Sequence, residues 1–165
     1  MNASRRGGFS LLHLTLLLAV MTILACVAIP GWFSRTEITL DNAVHLLARD
    51  IRDAQDRAAF QHRKLRLRFL AGGDGYAILD SRGHPIESPV GAGDFVRRYS
   101  RDAVFRGVRI EPIMTGDGGD LHFGSRGRTP AAGQVAVTFR GESRLVEIEE
   151  FTGEISVDGI HYRTN

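Results

Sequence analysis

The sequence has one cysteine, Cys26, so it forms no intrachain disulfide and builds no thiolate metal cluster from this chain alone. Cys26 lies in an apolar run that suppresses thiolate formation, which makes it a packing residue rather than a reactive one. Catalytic patterning is missing as well. The histidines His13, His45, His62, His84, His122 and His161 are scattered, without metal-ligand spacing or a nucleophile partner. No enzyme activity, catalytic residue, metal site or cofactor is expected. Gly116-Asp117-Gly118-Gly119-Asp120 offers two carboxylates but lacks the bidentate glutamate and ordered spacing of a calcium loop, and it reads as a turn. With 43% hydrophobic and 24% charged residues, the composition excludes wholesale disorder and a multi-span membrane protein. A length of 165 residues suits one folded head with an N-terminal appendage.

Charge is absent from one long stretch. From Phe9 to Phe33 there is no Asp, Glu, Lys or Arg, and only Ser10, His13, Thr15, Thr22 and the Pro30-Gly31 pair interrupt the apolar residues. Roughly 20 such residues at 1.5 Å each cross the hydrocarbon of a bilayer. Arg5 and Arg6 precede the stretch, and basic residues beside a span stay in the cytoplasm, so residues after about 34 are expected outside it. A secretory signal peptide has an apolar region of about 7–15 residues followed by a small-residue cleavage site, and this run is longer. Ala25, Cys26 and Ala28 make a poor cleavage or lipoprotein site because the residues beyond them remain apolar.

The net charge of +2 and pI near 9.1 point to anionic partners only if the charges cluster. Removing Arg5 and Arg6 from the 21 basic residues leaves them equal in number to the 19 acidic ones. From Asp120 onward, five basic residues face seven acidic ones, so that region is net negative. Two basic clusters remain as DNA or anion patches: Arg63, Lys64, Arg66 and Arg68, and a second that begins at Arg97 and Arg98 and takes in Arg101, Arg106 and Arg109. The alternating arginines of the first also fit the solvated face of a strand.

Beyond Pro30-Gly31 the period becomes helical. Val44, Leu47, Ile51, Ala54 and Ala58 form one apolar stripe, with Arg49, Asp50, Arg52, Asp53, Asp56 and Arg57 assigned to the other faces and a helix end near Arg63. Arg49/Asp53 and Asp53/Arg57 have the spacing of supporting ion pairs. From Leu65 the period is two, then Gly72-Gly73-Asp74-Gly75 turns the chain into a returning strand at Tyr76–Asp80. Further strands are expected at 104–110, 120–123, 134–139, 145–148 and 154–157, with a variable loop over 80–99. One long helix followed by about seven short strands is an α+β fold.

The join of Arg5-Arg6-Gly7-Gly8 to Phe9-Ser10-Leu11-Leu12 resembles the type IV prepilins and type II secretion pseudopilins. The resemblance implies a leader at 1–8, cut by a prepilin peptidase between Gly8 and Phe9, and N-methylation of Phe9. It implies a transmembrane and assembly half-helix at 9–33, kinked at Pro30, and a periplasmic helix with a small antiparallel β-sheet head at 34–165. The implied partners are other pilins or pseudopilins in a hetero-oligomeric filament, the peptidase and methylase, and the bacterial inner membrane. The family usually has glutamate at the fifth mature position, where this chain has His13. Histidine cannot supply that negative charge beside a neighbour's terminal amine, which points to a minor subunit at or near a filament tip.

The helix around Leu47–Gln55, the hairpin ending Gly75–Ile78, the Leu121–Arg128 turn and the closing segments Arg144–Ile148 and Thr152–Ile155 are similar to the minor pseudopilin H and FimT-type family. Relatives of FimT type bind DNA in uptake through an arginine-rich C-terminal region, but the net-negative C-terminal region here weighs against nucleic acid. Mass spectrometry of the membrane-extracted protein is expected to find an N-methylated Phe9 terminus. An intact Met1, or a cut after Ala25 or Ala28, would contradict this reading.

Overall fold

The computed structural model describes residues 11–115, 117–157 and 160–161, with side-chain surroundings for all of these except Leu12, 25–37, Asp117 and 160–161. The chain divides into two compact units, Met1–Glu37 and Ile38–Asn165. Helix α1, Leu11–Phe60, begins in the first and ends in the second.

In the first unit the large apolar side chains described from Leu11 to Leu24 are exposed, with fractional exposures between 49% and 80%. Thr22 donates its hydroxyl to Leu18 O at 2.8 Å, which satisfies that polar group within the helix itself. Among the described residues, no helix is long and apolar enough to cross a membrane. The stretch expected to do so, 9–33, includes Phe9, Ser10 and the side chains of 25–33, which lie outside the described residues.

The second unit is organised by burial of one helix face. Val44, Leu47, Ile51, Ala54 and Ala58 are buried as their spacing predicts, joined by Leu40, Ala43 and Ala48. The helix ends earlier than expected. His62 adopts a left-handed conformation (φ 50°), its N–H donates to Ala59 O at 3.3 Å, and Arg63 N–H donates to Ala58 O at 3.1 Å. This pair of bonds is a Schellman closure, which satisfies the last carbonyls and turns the chain out of the helix. The expected Arg49/Asp53 and Asp53/Arg57 pairs do not form; Arg57 donates instead to Glu87 O at 2.6 Å.

Nine strands follow among the described residues: β1 Leu65–Phe69, β2 Gly75–Leu79, β3 Val96–Arg98, β4 Arg109–Met114, β5 Leu121–Phe123, β6 Gly133–Phe139, β7 Glu142–Ile148, β8 Ile155–Val157 and β9 Ile160–His161. They form two antiparallel sheets rather than the single small sheet expected, in the orders β3-β2-β1-β5 and β4-β6-β7-β8-β9. Leu65, Leu67, Tyr76 and Ile78 from one sheet, and Ile110, Val135, Val137, Val146 and Ile148 from the other, join the helix stripe in one core.

Two segments differ from expectation. Residues 104–107 are turn and Val108 is irregular, not strand, because Asp102 Oδ1 accepts the N–H groups of Val104 (2.8 Å) and Phe105 (3.3 Å), a local alternative to a sheet ladder. The strand starts at Arg109 instead and tolerates Pro112 because β4 is an edge strand with a register irregularity between Pro112 and Met114. The loop 80–99 also folds back on the sheet: Ile86 N–H donates to Ile78 O and Phe95 N–H to Ile86 O, and the chain re-enters the ladder as β3. At Gly127 (φ 75°) the turn approaches α1 so closely that a Cβ would stand 2.7 Å from Gln55 O, so no side chain fits there. Ile51→Ala is expected to lower unfolding stability by about 2–5 kcal/mol, measured by urea titration, because Ile51 is fully buried.

Candidate functional site

The described residues contain no group of His, Cys, Asp or Glu able to hold a metal ion. The chemistry of the head lies in its ion pairs, and these decide which arginines remain available to a partner.

Asp50 is the most consequential side chain. It sits on the apolar stripe, at helical steps from Leu47 and Ala54, and has no exposed surface. The sequence reading placed it on a polar face, and the structure corrects this. Arg97 from β3 reaches it with Nε at 2.8 Å from Oδ2, and Tyr76 from β2 donates its hydroxyl to the same oxygen at 2.8 Å. Cross-strand pairing of Tyr76 with Arg97 puts both side chains on the face turned toward α1. Burial raises the Tyr76 phenol well above the ordinary tyrosine value, reinforced by Tyr99 and Asp50 nearby. The hydrogen bond that the Arg97 guanidinium donates to Asp50 raises Arg97 above its ordinary value and so holds its charge. Tyr99 packs edge-on to Tyr76 with ring centroids 6.3 Å apart, and burial raises its phenol too.

A second carboxylate engages the other basic cluster. Arg68 forks onto Asp120, with Nε at 3.3 Å from Oδ1 and Nη2 at 3.1 Å from Oδ2, and Arg66 Nη1 lies 3.7 Å from the same carboxylate. These arginines share the outer face of their sheet with His122, which pairs with Arg66 across β5. Arg63 and Lys64 are exposed, and Arg63 donates to Gln61. The structure therefore brings only part of the expected basic set together: Arg66, Arg68 and Arg98 lie on the face of their sheet turned away from α1, whereas Arg97 faces toward it.

Of the assembly residues expected from sequence, Gly8 and Phe9 lie outside the described residues. His13 is exposed on α1, and Pro30 falls within the helical run of α1 with its side chain outside the described set. Around His13, the exposed surface from Leu11 to Leu24 carries no ionic side chain.

Tyr76→Phe is expected to destabilise the protein by about 1.5–3 kcal/mol, because it removes a hydrogen bond to a buried charge. Tyr99→Phe should cost far less, since the Tyr99 hydroxyl has no hydrogen-bond partner. The raised phenols set a pH limit: the unfolded chain releases its tyrosine protons near pH 10.0 while the folded head retains them. Stability is thus intact below that pH and falls as pH rises beyond it. Circular dichroism melts at increasing alkaline pH should show this loss, reduced in Tyr76→Phe relative to its own neutral-pH value.

No protein-family model matches the sequence, and no curated protein matches it. Solved structures do. The type IV minor pilin FimU of Pseudomonas aeruginosa (strain PAO1) matches in one crystal form with a TM-score of 0.51 and 19% identity over 76% of this chain and 93% of that one. A second crystal form gives 0.51 and 18%, over 76% of this chain and 98% of that one. The minor pseudopilin EpsH from the Type 2 Secretion System of Vibrio cholerae scores 0.49 with 10% identity, over 72% of this chain and 94% of that one. At such identities the likeness is one of fold: the chain has the α+β fold of the type IV minor pilins.

Proposed function

We propose that this chain is a non-enzymatic minor subunit of a type II secretion or type IV pilus-like filament. It enters the inner membrane through residues 9–33, with its leader in the cytoplasm and its head in the periplasm. It is cut after Gly8, N-methylated at Phe9 and assembled at or near the filament tip. The observation that carries this reading is a pilin-fold head on a chain whose α1 begins with an exposed apolar surface. A helix apolar on all sides belongs in lipid or among other helices, and water disfavours it. Arg5 and Arg6 support the orientation. His13 supports a minor rather than a repeating role, because a neutral imidazole accepts a hydrogen bond from a neighbour's amine but brings no compensating charge.

The nucleic-acid alternative is weakened by the ion pairs. Phosphate binding needs available cations along one face, whereas Arg97 is held by Asp50, and Arg66 and Arg68 by Asp120. Gel shifts with duplex DNA are expected to show no retardation even at low salt.

The test of the main reading is shearing of surface filaments from cells carrying a tagged chain. Wild type is expected in the sheared fraction in small amount relative to the major subunit, and Gly8→Val should abolish that signal and leave an uncut membrane form. Equal recovery of the Gly8→Val chain in the filament fraction would contradict it.

A further inference from the structure

The second sheet turns Val135, Val146, Ile148 and Ile155 into the core, so the residues alternating with them form its outer face. There the register sets Met114, Gln134, Glu147 and Ser156 in one row across β4, β6, β7 and β8. Glu149 and Glu154 close the β7/β8 hairpin, with Glu149 N–H donating to Glu154 O at 2.9 Å. These residues border a cleft of about 300 Å³, completed by Ala132, Gly133 and Ile148. Its β4 rim is apolar. The irregularity between Pro112 and Met114 breaks the strand's alternation, and both Ile113 and Met114 are exposed, at 61% and 47%.

The charge of the cleft has one sign. Glu147, Glu149 and Glu154 line it, and among the described residues no Lys or Arg does. Glu147 accepts from Gln134 Nε2 at 2.9 Å and Glu149 from Thr152 Oγ1 at 2.8 Å. Both donors are neutral, so they orient the carboxylates without cancelling their charge, and among the described residues neither carboxylate has an ion pair. Glu149 and Glu154 also oppose each other across the hairpin, where like charges cost stability. In the next row Glu111 pairs with Ala136 and adds a carboxylate to the same face. Arg109 lies one row beyond, with Nη1 held by Gly72 O at 3.3 Å, and His161 pairs with Ser156. On this face of the strands Glu111, Glu147, Glu149 and Glu154 therefore stand against Arg109 alone among the described Lys and Arg residues. Exposed apolar side chains rimmed by charge have the composition of a contact surface.

We propose that this face docks a lysine- or arginine-bearing segment of a partner protein. Its cations meet Glu147 and Glu149 in charge-assisted hydrogen bonds, and its apolar side chains meet Ile113 and Met114. Nucleic acids and anionic lipid surfaces are polyanions, and the same carboxylates repel them. A metal ion is disfavoured because the described residues hold no group of carboxylates able to ligate one. The inference goes beyond the filament reading and holds whichever machine the chain serves.

The test is fluorescence anisotropy with the full chain in neutral detergent micelles and a fluorescein-labelled peptide of alternating valine and lysine. Saturable binding is expected, weakening with salt, and an alternating valine-glutamate peptide should not bind. A loss of about tenfold or more is expected in Glu147→Gln/Glu149→Gln, whose amide oxygens still accept from Gln134 and Thr152. Glu87→Gln/Glu142→Gln removes the same charge away from the cleft, and its affinity should change by less than about twofold. If the first double variant lowers the melting temperature, Glu149→Gln alone serves in its place with a smaller expected loss. Absence of saturable binding, equal losses in the two double variants, or displacement of the peptide by calcium at matched ionic strength would each overturn the proposal. So would binding that emerges only after deletion of residues 162–165, which would assign the cleft to the chain's own terminus, or self-association that Glu147→Gln/Glu149→Gln abolishes. The readout does not involve filament assembly, so its failure leaves the filament reading standing.

Discussion

A carboxylate with no access to water is a severe constraint, and Asp50 imposes it on the whole head. An unpaired buried charge costs several kcal/mol, so the fold must bring donors to it. They come from two neighbouring strands, Tyr76 of β2 and Arg97 of β3, at 2.8 Å each. The chain between those strands, 80–95, must then return β3 to one register, since a one-residue slip would point Arg97 to the other face. The pair thus anchors an edge strand of three residues, too short to hold its place by ladder bonds alone. Ion pairs of this type contribute little net stability compared with an apolar replacement. What Asp50 gives the head is a unique alignment of α1 with the first sheet.

Asp120 plays a parallel part on the opposite face. It gathers Arg66 and Arg68 beside a turn that reads as a flexible connection. Together the two carboxylates engage three of the arginines that make the sequence look basic, Arg66, Arg68 and Arg97.

Much of this was legible in the residues. Val44, Leu47, Ile51, Ala54 and Ala58 announce the buried helix face, and Leu65-Arg66-Leu67 and the alternation through β6 announce half-buried strands. Other parts were not. β3 consists of Val96-Arg97-Arg98, which has no period long enough to read, and its strand character comes from pairing with β2. β4 contains Pro112, which argues against a strand until its edge position is known. Asp50 was hidden because a charged residue is presumed to face solvent. The available signal was its position one helical step from Leu47 and from Ala54. The division into two sheets depends on contacts between distant segments, which local periodicity does not encode.

The head and the start of α1 answer to different solvents. The head buries its apolar residues within itself, whereas Leu11 to Leu24 present theirs outward and lack a covering among the described residues. The central claim is that lipid and then neighbouring filament helices provide it. A photo-crosslinking amino acid in place of Leu17, irradiated in cells and read by mass spectrometry, tests this most directly. The account predicts adducts to the N-terminal helix of another pilin-type subunit. Leu17 adducts found only with soluble cytoplasmic proteins would contradict it.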